Sequence, residues 1–145
     1  MKPKPHIGFE LRTTANLIRR EIDNATAKRG IEKLTGMQGR VIGYLCHHQD
    51  QPVFQRDLEA VFSIRRSTAT AMLQTMEKHG LIERRPVAKD ARLKQILPTA
   101  IALKRHTIFE QEIDRVEQSV LSGITPAERD ALLAILQKIN TNLGE

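Results

Sequence analysis

A mainly α-helical protein with one small β-hairpin (α+β) is the fold class that this sequence predicts, and three observations predict it. Aromatic residues make up only 3% of the 145 residues and Trp is absent, so a core of Leu, Ile, Val and Met is expected, which suits packed helices. Apolar residues recur at steps of three and four along most of the chain, the period of a helix face. That rhythm breaks over residues 81–98, where "LIERRPV" and "KQILP" flank the charged turn "AKDARL" as two short extended runs. A chain of this length, 40% hydrophobic and 28% charged, is expected to be globular, with one domain and a real core.

Each element has its own signal. Residues 7–28 place Leu11, Ala15, Ile18, Ile22 and Ala25 in alternating steps of four and three, a narrow seam of the coiled-coil kind. "GIEKL" breaks it. Thr35 and Gln38 then have capping-box spacing. They open a helix to about residue 48, with Met37, Val41, Tyr44, Leu45 and His48 on one face. Gly36, Gly39 and Gly43 each weaken that helix by up to ~1 kcal/mol against Ala. Close packing of another element against Gly39 and Gly43 would account for them. "HQDQP" is a turn, and Phe54, Leu58, Val61 and Phe62 give a short helix stopped near Ser63.

The next helix runs from about Arg65 to His79. It buries Ala69, Met72, Leu73 and Met76, and Gly80 is placed as its C′ residue. Ser67, Thr70, Ala71, Gln74 and Lys78 lie on the opposite face, unusually small and hydroxylated for a helix surface. After the hairpin, a long helix from Thr99 to Leu121 carries Ile101, Ile108, Phe109, Ile113, Val116 and Val120. "TPAE" then sets Thr125 as N-cap, Pro126 at N1 and Glu128 at N3 of a last helix with Leu132, Ile135, Leu136, Ile139 and Leu143.

Charge points to the partner. The chain is +6, and residues 64–94 alone hold eight Lys/Arg and three acids, a surplus of +5. Positive charge concentrated in this way suggests a polyanion. Helix, turn, helix and hairpin is the winged helix-turn-helix order. A recognition helix must lie flush in a groove about 12 Å wide, so small polar residues on its outer face allow close approach. Their hydroxyls can reach phosphates or base edges, and Arg on the hairpin can reach the adjoining minor groove.

"RRSTATAMLQTMEKHGLIERR" (65–85), "KDARLK" (89–94) and "ILPTAIAL" (96–103) resemble the MarR family of bacterial transcription regulators. "LTGMQGRVIGYL" (34–45) and "QRDLEAVF" (55–62) fit that family's preceding helices, so the resemblance spans essentially the whole chain. It implies a single domain over 1–145, with a winged helix-turn-helix DNA-binding lobe at 34–98 and dimerisation helices at 7–28 and 99–145. It further implies a homodimer on a pseudo-palindromic double-stranded operator, acting as a transcriptional regulator of the repressor kind. The residues expected to meet DNA are Arg65, Arg66, Ser67, Thr68, Thr70, Gln74, Lys78, Arg84, Arg85, Lys89, Arg92 and Lys94. Asp90 is expected to position the wing, since a carboxylate near phosphate is repelled. Two departures stand out. Ala71 and Thr75 occupy places where many members carry Arg, which moves base readout toward Arg66, Thr70 and Gln74. Leu93 stands where a second wing Arg is common. A small-molecule effector, where one acts, would sit near helices 7–28, 35–48 and 99–121, at residues the sequence does not name. The apolar seams at both ends give an independent reason for a dimer, because a monomer would expose them.

The remaining signals are weaker. Cys46 reads as a half-buried small hydrophobe; the alternative is a redox sensor. A single cysteine forms no intrachain disulfide, no signal peptide is evident and no apolar run reaches membrane-spanning length, so a cytoplasmic protein without a membrane partner is expected. His47 and His48 are adjacent and diverge on a helix, so they cannot chelate together. His106 and Glu110, spaced i,i+4, supply half a metal site with no third ligand evident, so no metal and no cofactor is expected. Phosphate-cradling loops, a nucleophile elbow and HExxH are missing from the sequence, which argues against an enzyme. The rival to DNA binding is a basic module that docks an acidic protein. A preference for duplex with two half-sites separates the two.

Overall fold

The computed structural model describes residues 3–32, 34 and 36–145. Thr35, and with it the expected Thr35–Gln38 capping box, lies outside the described residues. Among the described residues, six helices and one antiparallel hairpin follow in the order α1 (Ile7–Lys28), α2 (Gly36–His47), α3 (Gln55–Phe62), α4 (Arg66–Lys78), β1 (Ile82–Val87), β2 (Asp90–Pro98), α5 (Ala100–Val120) and α6 (Pro126–Asn142). The mainly α fold with a β-hairpin is the one expected. The chain divides into two compact units, residues 23–111 and residues up to 22 together with 112–145, so α1 and α5 each run through both.

In the unit of residues 23–111, α2 contributes Val41, Ile42 and Leu45 to the core, α3 Leu58, and α4 Leu73 and Met76. Val53, Leu81, Ile82, Ile96 and Ala102 complete it. Burying each of the larger side chains favours folding by about 1.5–3 kcal/mol. The apolar spacing of α2 and α4 therefore does what it predicts, with one exception. His48, expected on the apolar face of α2, lies beyond the helix end and is exposed, while Ile42 takes a core place. The reason is local: the His48 ring stacks on Tyr44 at 3.9 Å between centroids, and its Nδ1 donates to the Tyr44 carbonyl at 2.8 Å. In α5, Ile101 points outward and Ala102 faces the core. Thr99 sets that phase, because its hydroxyl accepts from the Ala102 amide at 3.2 Å and donates to the Gly80 carbonyl at 2.6 Å.

The α3–α4 connection is tight. Ser63 ends α3 in the left-handed region at φ 50°, and its neighbour Ile64 donates to the Glu59 carbonyl at 3.1 Å. Gly80 ends α4 at φ 72°, with the Leu81 amide donating to the Met76 carbonyl at 2.9 Å, the helix stop its place in the sequence predicts. β1 and β2 pair from Ile82 opposite Pro98 to Pro86 opposite Lys94, and Val87 then pairs with Asp90. The turn is therefore only Ala88 and Lys89, and the rest of the expected loop, 90–93, is an irregular start of β2. Val53 adds one hydrogen bond to the sheet, its carbonyl accepting from the Ile96 amide at 2.7 Å.

In the other unit, Thr125 caps α6 as predicted: the Glu128 amide donates to Thr125 Oγ1 at 3.2 Å, and the Thr125 amide to Glu128 Oε1 at 3.0 Å. Val116 is buried, but Leu132, Leu133, Ile135 and Leu143 of the α6 segment are exposed, as are Ile7, Phe9, Leu11 and Leu17 of α1.

Candidate nucleic-acid interface

The residue types of α4 decide which of its faces can meet a groove. Ala69, Leu73 and Met76 turn into the core, which leaves Arg66, Ser67, Thr68, Gln74 and Lys78 exposed. Arg65, immediately before the helix, is also exposed and has extended backbone angles. It offers no side-chain cap, so the first-turn amides of α4 are open to another acceptor. Thr70 differs from its expected free placement. It is half-buried, and its hydroxyl accepts a 2.9 Å hydrogen bond from Gln55 Nε2, which ties α4 to the start of α3.

The hairpin carries the other cations, in three different states. Arg84 is paired back to α4, with Nε 3.2 Å from Glu77 Oε2. Arg85 lies 2.7 Å from Glu83 on its own strand. Lys89, at the turn, and Lys94 are exposed. Arg92 is 95% exposed, and its guanidinium Nε is 3.7 Å from Asp90. Asp90 also accepts from the Arg92 amide at 2.9 Å, so one carboxylate shapes the irregular start of β2 and holds Arg92 there.

Between α3, α4 and the hairpin lies a groove of about 520 Å³ whose lining includes Arg56, Arg66, Arg84, Arg92 and Lys94, with Glu59 as the acidic member. The short α3 and its tight exit bring Arg56 and Gln55 to this groove. Arg56 stacks its guanidinium 5.2 Å from the Phe54 ring. Neither residue was expected among the DNA contacts. "QRDLEAVF" reads as a helix with an apolar face, and only the packing of α3 against α4 places its first turn beside Arg66 and Thr70. A basic groove edged by a hydroxyl-rich helix and an arginine-tipped hairpin defines a winged helix-turn-helix, the class to which both fold and site belong.

The comparisons carry this to a family. The sequence model of the MarR family matches residues 33–93. YybA of Bacillus subtilis, an uncharacterized HTH-type transcriptional regulator, is 25% identical over 101 residues, 69% of this chain and 67% of its own length. YdgJ of the same organism, described in the same words, is 25% identical over 100 residues, 69% of this chain and 60% of its own length. Among solved structures, the heme sensor PefR from Streptococcus agalactiae in complex with heme has TM-score 0.74 at 25% identity, covering 96% of this chain and 95% of that one. S. aureus MepR bound to ethidium bromide has TM-score 0.71 at 26% identity, covering 96% and 97%. Together these matches support a MarR-family winged-helix protein, a DNA-binding transcription regulator.

Two further groups lie outside the groove. Cys46 is partly buried, and burial, with the nearby Glu110 carboxylate second, pushes its thiol up. Both effects favour the neutral thiol over the reactive thiolate. His106 and Glu110 of α5 do come together, and the last residue of α2, His47, joins them as a third donor that sequence spacing could not supply. Gly43 faces the same ring: a Cβ there would stand 3.5 Å from His106 Cε1, whereas one at Gly39 would meet nothing within 4 Å. No helix of the described residues is long and apolar enough to cross a membrane.

Proposed function

We propose that this chain is a cytoplasmic, homodimeric repressor that reads a pseudo-palindromic duplex, with α4 in the major groove and the hairpin at the flanking minor groove. The observation that carries the reading is the basic groove between α4 and the hairpin. Its cations come from three elements, which suits a backbone that curves past all of them. Residues 34–98 form the DNA-binding lobe, and 7–28 with 99–145 the dimerisation helices. Gln74 is the base reader on the outer face of α4, with Arg66, Ser67, Thr68 and Lys78 around it. Arg92 enters the minor groove, and Lys89 and Lys94 neutralise phosphates beside it. Arg84 and Arg85 are carboxylate-paired, so each contributes less to phosphate binding than its charge suggests. Thr70 acts through Gln55 by holding α4 on α3. The chain is a regulator without catalytic chemistry, and it answers a small-molecule effector, as the ligand-bound forms of PefR and MepR suggest for proteins of this fold.

Selection from a random duplex library tests the reading. The expected result is one enriched motif with two inverted half-sites about one helical turn apart. Enrichment of no motif, with equal binding to single strands and duplex, would leave a basic module that binds acidic proteins.

A further inference from the structure

We propose that His47, His106 and Glu110 form a binding site for a divalent transition metal of the zinc class, joining the end of α2 to α5. The three donor atoms already converge. His47 Nε2 and His106 Nε2 each lie 3.0 Å from the same oxygen, Glu110 Oε1, and 3.4 Å from each other. Zinc binds imidazole nitrogen and carboxylate oxygen at about 2.0–2.2 Å, so two donors on one tetrahedral zinc stand about 3.3 Å apart. The observed triangle has edges of 3.0, 3.0 and 3.4 Å, close to one face of that tetrahedron. A small outward shift of each side chain would seat the ion.

The donor set selects the metal. Two imidazoles and one carboxylate suit zinc and its neighbours in the transition series. Magnesium and calcium require oxygen ligands throughout. His106 is 14% exposed and Glu110 49%, while His47 is 62% exposed, so the ion can enter from solvent and its fourth position faces water. The local fold pre-orients the donors. His106 and Glu110 sit one turn apart on α5, and the His106 ring packs beside Gly43 of α2, where a Cβ would meet Cε1 at an ordinary 3.5 Å. His48 is held elsewhere by Tyr44, which leaves His47 alone at the end of α2 to complete the set. The ion would close a loop from 47 to 106 that contains α3, α4 and the hairpin, clamping the whole groove-bearing segment at its base.

The full-length protein, stripped of metal with a chelator, is titrated with zinc in competition with a chromophoric indicator. One zinc per chain is expected, undisturbed by excess magnesium. Outer-shell partners of a metal cost about 10–100-fold in affinity when lost, so His47→Gln and Glu110→Gln, which remove direct ligands, are each expected to weaken zinc by at least that much. Cys46→Ser is expected to leave it unchanged. Cobalt in place of zinc is expected to give strong visible bands of four-coordinate geometry with no thiolate charge-transfer band. Metal-free melting of each variant checks its fold, and both substituted side chains are exposed enough to leave it intact. Absence of stoichiometric zinc, wild-type affinity in either His47→Gln or Glu110→Gln, or a thiolate band with cobalt would each overturn the site.

Discussion

At the scale of single residues, charge alone does not rank the cations; their partners do. Arg84 holds Glu77 at 3.2 Å, whereas Arg92 is 95% exposed and its contact with Asp90 is longer, at 3.7 Å. A narrow minor groove favours Arg over the more strongly hydrated Lys. Arg92→Ala is therefore expected to leave folding intact while weakening operator binding. The slope of log K against log[salt] should flatten by about one to two units per dimer, since two cations are lost. Arg92→Lys should recover most of the slope and part of the affinity. Binding isotherms across a salt series check this, and a slope unmoved in Arg92→Ala would remove the hairpin from the interface. Gln74 is the complementary case, exposed on α4 where a side-chain amide can pair with adenine. Gln74→Ala should cost about 1–3 kcal/mol on the selected operator and little on random duplex. Equal losses on both would show that it does not read sequence. Thr70, by contrast, should report on stability, because its hydroxyl bonds Gln55. Its loss is expected to cost about 0.5–1.5 kcal/mol in a denaturant melt.

At the scale of elements, the ends of helices were the most legible features of the chain. Thr125 and Glu128 hydrogen-bond reciprocally at the start of α6, and Gly80 takes the left-handed angle that ends α4. Both rest on interactions within a few residues. The α6 cap also has a pH signature. Hydrogen bonds from the Thr125 amide and hydroxyl hold the Glu128 carboxyl below its ordinary value. A depressed folded pKa gives stability that is present above the unfolded value and lost as pH falls through the folded one. Glu128→Ala, which removes the acceptor of the Thr125 amide, should therefore lower the melting temperature at neutral pH. The difference from wild type should shrink in acid, once Glu128 is protonated. Melts at neutral and acidic pH, on both proteins, measure it, and a difference independent of pH would mean that the carboxylate plays no part in the cap. The hairpin was less legible. Its turn is two residues rather than six, because Asp90 bonds the Arg92 amide and pulls residues 90–93 into an irregular strand. The pairing of Val87 with Asp90 that closes the turn depends on a register no single strand specifies.

At the scale of the whole molecule, the exposed apolar residues of α1 and α6 set the expectation of assembly. Ile7 and Phe9 are more than 60% exposed, and Leu133 and Ile135 more than 50%. Soluble monomers rarely expose large apolar patches, and a two-fold partner hides such residues by presenting the same surface in return. A dimer burying more than about 2,000 Å² in total is expected. Sedimentation at micromolar concentration checks it, and a monodisperse monomer would end the proposal. Deleting residues 126–145 should give insoluble or unfolded protein rather than a well-behaved monomer, because folding and pairing are then one equilibrium.

The sequence by itself determined the succession of helices and the hairpin, the helix stops, and the concentration of cations over residues 64–94. These follow from periodicity, from glycine and capping chemistry, and from counting, all local properties. It also carried the resemblance that the comparisons support. Only the tertiary structure decided which cations are free and which are paired, that Thr70 faces Gln55, and that Arg56 lines the groove. The meeting of His47 with His106 and Glu110 belongs there too. Its donors lie 59 and 63 residues apart along the chain. Spacing along one helix can relate residues a turn apart, but the distance between two helices is set by the side chains packed between them.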